Sequence, residues 1–336
     1  MNNKKFKENI FYFSNIFPIK SILKYWENNI VIFCFHRVLP MELISQEDEP
    51  NREIVVSTKF FDAFLDIISK EYRLCSLEET IQQISNKSKE KIAHITFDDG
   101  YKDNLEYALP ILEKYNAPMT LYIATRFPQG DTWMWWYELW DTLLLNDKIT
   151  VEIEDKEYFY SCKNLNEKNS IFSLLRTQFS NKRLHEQKEI LCSITKNSEP
   201  ISYGNICLNW DEIKQLDQHP LITIGSHTHN HPVLSQETSE ALLKELSSSK
   251  ELLEAKLGHK IEHFAYPFGG VNQFGTREIN MLQKVCYTTA VSTICTKMNF
   301  KHKFDVPRYF VTEASGLDRL LIRLGGLSNF LGRQFL

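Results

Sequence analysis

Two short stretches of the sequence contain residue types that could carry out hydrolysis at a metal ion. The first, Thr96-Phe97-Asp98-Asp99-Gly100, has two adjacent carboxylates, and the second, His227-Thr228-His229-Asn230-His231, has three of the chain's 10 histidines. His227 and His231 are four residues apart, so both imidazoles can reach one ion from the same side of a turn. Two histidine nitrogens and one carboxylate oxygen with an open fourth position are typical of a catalytic zinc site. The pattern predicts that Zn²⁺, or another divalent transition metal, binds here.

The two carboxylates are expected to have different roles. Neighbouring residues on an extended backbone point to opposite sides, so Asp98 and Asp99 should not share one partner. The plainer interpretation is a strand-end turn, since Asp-Gly is a common turn pair, with the histidines as polar loop residues.

Both stretches follow short apolar runs that are predicted to be buried strands, at residues 92–97 and 221–225. Around them the sequence alternates strand and helix patterns, which predicts a parallel sheet covered by helices, either open or barrel-like. The carboxyl ends of parallel strands meet at one rim, where sites usually form. The carboxylates and the histidines should therefore lie on the same rim.

The chain is long enough for one large α/β domain with insertions, or for two smaller ones. The regular alternation stops at Arg126 and returns near Asn209, which predicts a main domain at 30–312 with an insertion at about 126–209. The flanking segments 1–29 and 313–336 have amphipathic patterns. Such segments either lie on a membrane surface or pack on their own domain, and the pattern does not separate the two.

Composition excludes some classes of protein. A formal net charge of -4 gives no support for broad binding to nucleic acid. The start of the chain lacks the form of a signal peptide, and no uncharged apolar run reaches the roughly 18 residues that span a bilayer. The expected location is the cytoplasm, with the inner face of the membrane as the place of any peripheral membrane contact.

The two stretches resemble the first two motifs of the polysaccharide deacetylases, the NodB-type carbohydrate esterases, which read T-F-D-D-G and H-[ST]-x-x-H. The resemblance spans roughly residues 30–310 outside the insertion. It implies a distorted (β/α) barrel of the NodB homology type with a large loop insertion. It also implies that Asp99, His227 and His231 hold the metal, while Asp98 is the general base.

The third family motif, R-x-P-[YF]-G, is altered in this sequence. The matching stretch is Phe264-Ala265-Tyr266-Pro267-Phe268-Gly269, and Ala265 stands where the arginine that orients the base would be. Arg308 is the candidate substitute, approaching Asp98 from a neighbouring strand. The alternative for Arg308 is an ordinary salt bridge.

The last family motif, L-x-I-H, has no match after Phe310. Instead, Phe33-Cys34-Phe35-His36 resembles the circularly permuted members, in which that strand comes first in the chain. His36 is therefore the candidate general acid, and the alternative is a rim histidine that hydrogen-bonds a loop.

Four further residues are candidates for contact with substrate. The resemblance suggests that the backbone N–H of Phe268 stabilises the oxyanion, and Tyr101 lies beside the carboxylate motif. Trp135 and Trp136 could form a wall on which a sugar ring stacks, although core packing is the commoner use of tryptophan.

Together these features predict a metal-dependent carbohydrate N-deacetylase that releases acetate from an amino sugar. The expected substrate is a polysaccharide or a lipid-linked glycan precursor. The alternatives are a deformylase or another amide hydrolase on the same scaffold, a non-catalytic sugar-binding protein, and a structural partner in a glycan-assembly complex.

Overall fold

A computed structural model describes residues 29–44, 52–130, 133–154, 156–196, 201–294 and 303–317. Its largest feature is a sheet in the order β12-β11-β10-β9-β6-β5-β1-β13, with β4 beside β5, and every pairing in this sheet is parallel. Two smaller sheets pair β2 with β3 and β7 with β8. The strands are β1 Ile30–Phe35, β2 Arg37–Leu39, β3 Val55–Ser57, β4 Arg73–Leu74, β5 Ile92–Phe97, β6 Met119–Ile123, β7 Lys148–Ile153, β8 Lys156–Ser161, β9 Ile222–Ser226, β10 His263–Ala265, β11 Thr289–Ser292, β12 Val306–Pro307 and β13 Tyr309–Phe310.

The main sheet closes on itself through one short stretch of chain. β12 and β13 are separated only by Arg308, yet they pair with opposite edges of the sheet. Val306 lies opposite Val291 in β11, and Tyr309 lies opposite Phe33 in β1. The sheet is therefore a barrel, and the predicted distorted (β/α) barrel is confirmed.

Helices cover the outside of the barrel. They are α1 Thr58–Glu71, α2 Leu77–Ser85, α3 Leu109–Lys114, α4 Trp135–Leu145, α5 Leu165–Phe179, α6 Leu184–Thr195, α7 Trp210–Asp217, α8 Ser239–Leu257 and α9 Thr276–Lys284. Ser57 and Ser76 cap the first two helices, and their hydroxyls accept hydrogen bonds from Phe60 N at 3.0 Å and Glu79 N at 3.2 Å. The helix that follows the carboxylate motif begins with a π-turn at Asn104–Ala108.

The central strands β1, β5 and β6 bury both faces, which explains their continuous apolar runs. On the outer face, Phe33 packs edge-on against Phe64 of α1 with ring centroids 4.9 Å apart. On the inner face, a cluster joins residues of five strands. They are Ile32, Tyr122, Ala265, Val291 and Val306.

Between β6 and α7 the chain leaves the barrel and builds a second hydrophobic cluster. It contains α4, the antiparallel hairpin of β7 and β8, and α5 and α6. Trp135 stacks on Phe179 in this cluster, with ring centroids 4.6 Å apart and planes inclined by 12°. This is the large insertion, and the predicted limits 126 and 209 remain a prediction.

The predicted amphipathic segments at 1–29 and 313–336 lie almost entirely outside the described residues. In the short described part of the second one, Glu313 accepts hydrogen bonds from Ser57 N at 2.7 Å and Ser57 Oγ at 3.0 Å. Across the ranges that the structure describes, none of the helices combines the length and the apolar character needed to cross a bilayer.

Candidate active site

The candidate residues come together at the carboxyl ends of neighbouring strands. Asp98 and Asp99 follow β5, His36 follows the adjacent strand β1, and the histidine loop begins where β9 ends. Arg308 enters from the stretch that closes the barrel.

Asp99 and His227 are buried and His231 is partly buried, and the ligand atoms of the three lie within 4.8 Å of one another. The Oδ1 atom of Asp99 is 3.4 Å from His227 Nε2 and 3.3 Å from His231 Nε2. This oxygen has no hydrogen-bond partner among the described residues, although it is buried. A buried carboxylate oxygen without a partner, facing two imidazole nitrogens, is the arrangement expected of metal ligands that converge on one ion.

The hydrogen bond of His227 supports this interpretation. Its Nδ1 lies 2.8 Å from the carbonyl oxygen of Ala265. A carbonyl only accepts, so Nδ1 carries the proton and the Nε2 lone pair is free to bind a metal, as is usual for ligand histidines. The three residues therefore fit a divalent metal ion.

The backbone at both motifs is turned out of the extended conformation. Asp99 has a φ of 75°, and Thr228 and His231 have φ values of 69° and 57°. Asp98 and Asp99 do have separate partners, but the expected reason was wrong, because a left-handed turn rather than strand alternation separates them. Burial tends to raise the pKa of Asp99, and the two facing histidines outweigh this, so its pKa lies well below its ordinary value.

Asp98 is held by Arg308 through two parallel hydrogen bonds. Nη1 donates to Oδ1 at 2.6 Å and Nη2 donates to Oδ2 at 2.7 Å. Arg308 is 0% exposed and also donates from Nη1 to Thr96 Oγ1 at 3.0 Å. Burial tends to raise the pKa of Asp98, but the charge of Arg308 outweighs it and the pKa is lowered. Asp98 is therefore an oriented carboxylate, and its partner Arg308 lies between β12 and β13. That Arg308 substitutes for the arginine missing at Ala265 remains a prediction.

His36 and Cys34 also lie close to Asp98. One ring nitrogen of His36, one oxygen of Asp98 and the sulphur of Cys34 lie within 4.8 Å of one another. Cys34 Sγ donates to Asp98 Oδ2 at 3.5 Å, and burial raises the pKa of this thiol. Burial lowers the pKa of His36 more strongly than Asp99 and Asp98 raise it. His36 Nδ1 is buried and has no hydrogen-bond partner in the described part of the chain.

Aromatic side chains pack around His231 at the rim. The rings of Phe268 and Trp136 lie 5.0 Å and 5.4 Å from it, measured between centroids. Phe268 has a φ of 62°, and its carbonyl accepts a hydrogen bond from Thr293 Oγ1 at 2.7 Å. Trp136 therefore borders the site.

Trp135 and Tyr101 have different surroundings. Trp135 packs on Phe179 in the core of the insertion, which agrees with the alternative of core packing. Tyr101 is 0% exposed, and the guanidinium carbon of Arg37 lies over its ring, 4.9 Å from the ring centroid. Contact of these two residues with substrate remains a prediction.

The structure also shows supporting residues that sequence reasoning missed. Glu245 of α8 binds the backbone of the histidine loop. Next to His36, Arg37 donates from Nε to Asp103 Oδ2 at 2.8 Å and from Nη1 to Tyr137 OH at 2.8 Å. The position of Arg37 directly after the candidate acid was the available signal, whereas Glu245 resembles the other glutamates of its helix.

A barrel rim that joins a two-histidine, one-carboxylate group to an arginine-held carboxylate is a site built for hydrolysis, and the class of protein that it defines is the hydrolases. The model of the polysaccharide deacetylase family matches residues 85–153 and 173–284, which is more than half of the chain and includes both motifs. No curated protein sequence matches the chain significantly. The chain belongs to the polysaccharide deacetylase family, and its activity class is carbohydrate N-deacetylation.

Solved structures have the same fold. A de-N-acetylase from Aggregatibacter actinomycetemcomitans has a TM-score of 0.58 at 14% identity, covering 87% of this chain and 98% of that one. IcaB from Ammonifex degensii has a TM-score of 0.57 at 18% identity, with coverage of 89% and 97%. The Streptococcus pyogenes deacetylase PplD in complex with acetate has a TM-score of 0.54 at 18% identity, with coverage of 87% and 96%.

Proposed function

We propose that this chain is a metal-dependent N-deacetylase that releases acetate from an N-acetylated amino sugar. The observation that carries the proposal is that the two adjacent carboxylates have different partners. Asp99 faces His227 and His231, whereas Asp98 is paired with Arg308. The two carboxylates thus have different partners, which supports separate roles for them as metal ligand and as base.

Asp99, His227 and His231 would hold the metal, for which Zn²⁺ is the proposed identity because two nitrogens and one oxygen suit it. When bound, the ion supplies Lewis-acid chemistry that activates water and polarises the amide carbonyl. Asp98 accepts the proton of the attacking water, and Arg308 keeps its carboxylate ionised and aimed. The Phe268 N–H would stabilise the oxygen of the former carbonyl.

His36 is proposed to deliver the proton to the departing amine. Its ring lies close to Asp98, and its strand β1 lies beside β5 although it precedes β5 in the chain. That order supports a circularly permuted arrangement. Burial lowers the pKa of His36, so in this role its imidazole takes up a proton from solvent before it donates one to the amine, and Asp98 later returns the water's proton to solvent.

For the substrate, a polysaccharide or a lipid-linked glycan precursor is proposed. Phe268, which is partly exposed beside His231, offers apolar surface for the acetyl group or for one face of a sugar ring. Trp136 is only 5% exposed and packs against His231.

Acetate release from N-acetylhexosamine oligosaccharides tests the proposal. The wild-type protein loaded with Zn²⁺ should release acetate, and Asp98→Asn should lower kcat by about 10²–10⁴-fold without changing bound metal. A matched control is Asp66→Asn, which alters an exposed ion pair with Lys70 on α1. Normal turnover by Asp98→Asn would remove Asp98 as the base, and no acetate from any oligosaccharide would refute the deacetylase.

A further inference from the structure

The loop that carries the two histidines has a backbone that must be held in place. Thr228 and His231 both have left-handed φ values, 69° and 57°. Non-glycine residues adopt this conformation at a cost in free energy, and it persists where the surrounding structure enforces it. The distance between the two imidazoles therefore depends on contacts made by residues 228–230.

Glu245 of α8 supplies three of these contacts. Its Oε2 accepts hydrogen bonds from His229 N at 3.0 Å and Asn230 N at 2.8 Å, and its Oε1 accepts one from Asn230 Nδ2 at 2.6 Å. Glu245 is only 8% exposed. An ionised carboxylate only accepts hydrogen bonds, so it matches a set of three donors better than an amide can.

The opposite side of the loop is bound by the chain that follows β6. Thr125 N donates to Thr228 O at 3.0 Å, and Arg126 N donates to His229 O at 2.9 Å. Thr125 Oγ1 also lies within hydrogen-bond distance of His229 Nδ1, at 2.9 Å. His229 is not part of the group formed by Asp99, His227 and His231. The loop is therefore clamped between the barrel on one side and Glu245 on the other.

We propose that Glu245 is a positioning residue that sets the spacing of His227 and His231 by binding the backbone between them. The inference rests on the proposed metal-dependent function, since spacing matters because both histidines bind one ion. Without Glu245, two backbone N–H groups and one amide lose their acceptor, and the left-handed turns lose the restraint from the helix. The ligands would remain present but poorly aligned.

Zinc affinity of the full chain provides the first test. Zn²⁺ is titrated into metal-free protein against a chelator for wild type, Glu245→Ala, Glu245→Gln and the control Glu251→Gln, an exposed position on the same helix. Glu245→Ala should raise the Kd by about 10–100-fold, as losses of residues that orient metal ligands do. Glu245→Gln should have a smaller effect, because the one oxygen of the Gln amide can still accept from His229 N and Asn230 N. The control should bind as wild type does.

Hydrogen exchange of the metal-free protein provides a second test that does not depend on zinc. A peptide containing residues 227–231 should exchange faster in Glu245→Ala than in wild type, and at the wild-type rate in Glu251→Gln. Unchanged affinity together with unchanged exchange would overturn the role of Glu245. If Glu245→Ala exchanges faster but the wild type does not bind Zn²⁺, the result supports the restraint of the loop by Glu245 and refutes the proposed metal centre.

Discussion

Arg308 orients the carboxylate of Asp98, although the two residues are far apart in the sequence. The guanidinium is completely buried, spans both oxygens of the carboxylate and also contacts Thr96 and Tyr122. Such a bidentate pair fixes direction as well as charge, which is what a general base requires. Because both partners are buried, the loss of one leaves the other without compensation.

Two substitutions of Arg308 distinguish the effect of its positive charge from the effect of its planar pair of donors. Arg308→Lys keeps a positive charge but loses the planar pair of donors, so kcat should fall about 100-fold through misorientation of Asp98. Arg308→Met should also lower the free energy of unfolding by about 3–5 kcal/mol, because Asp98 is left buried and unpaired. Initial rates and urea unfolding measure the two effects.

A suitable control is Arg73→Lys, since Arg73 pairs with Glu79 and Glu90 through side chains that are all exposed to solvent. It should preserve both kcat and stability. A wild-type kcat in Arg308→Lys would show that Arg308 is only a structural ion pair.

Among the strands, β9 shows how closely the inside of the barrel is packed. Gly225 lies opposite Tyr122 in β6, and a Cβ atom there would be 2.5 Å from Tyr122 Cδ1. Tyr122 is 0% exposed and its ring lies 5.6 Å from the guanidinium of Arg308, measured to the ring centre. The absence of a side chain at Gly225 therefore leaves room for the ring behind the arginine.

Gly225→Ala should destabilise the fold by about 1–3 kcal/mol, the usual cost of overpacking, and should also lower kcat by moving Tyr122 toward Arg308. Denaturant unfolding measures the first effect. With Tyr122→Leu in the same chain, the two losses of stability should be less than additive, because the clash is relieved. Strictly additive losses would mean that the two residues do not compete for space.

The strands and both motif loops were predictable because their signals are local. An apolar run followed by polar residues marks the end of a strand. Ser57 and Ser76 mark the starts of helices, and both kinds of signal are independent of the tertiary structure. The contact of Arg308 with Asp98 was predicted from the family resemblance and not from a local signal, because it depends on closure of the barrel, which joins residues 210 positions apart. Glu245 gave no signal, because only the approach of α8 to the loop distinguishes it from other glutamates of that helix.

For the whole molecule, the site is assembled only when the barrel is complete. The proposed base Asp98 and the proposed ligand Asp99 follow β5, and the two proposed histidine ligands follow β9. The candidate acid follows β1, and Arg308 comes from the closing stretch. Tyr137 at the start of the insertion accepts a hydrogen bond from Arg37, next to His36, while its neighbour Trp136 contacts His231. The insertion thus supports both sides of the centre, and any loss of global stability is also a loss of the site.

Global stability should depend on pH through His94, a barrel residue that the chemistry does not use. It is 1% exposed, with Nδ1 lying 2.8 Å from Cys75 O and Nε2 lying 2.9 Å from Thr120 Oγ1. Burial lowers its pKa from 6.5 to about 4, against smaller opposing effects from the Cys75 carbonyl and Glu78. The nearby His263 lowers the pKa slightly further. The folded chain therefore keeps His94 neutral where the unfolded chain protonates it.

Between about pH 6.5 and pH 4 the unfolded state binds the extra proton, so acid favours unfolding in this window. His94 should remove up to about 3 kcal/mol from the free energy of unfolding as the pH falls, at roughly 1.4 kcal/mol per pKa unit, and nothing above the window. Urea unfolding of metal-free wild type and His94→Gln from pH 8 to pH 4 measures this difference. Carboxylates at the site titrate in both proteins, so they cancel in the comparison. The wild type should lose stability more steeply than His94→Gln, and parallel curves would mean that the buried imidazole is not the source of the acid sensitivity.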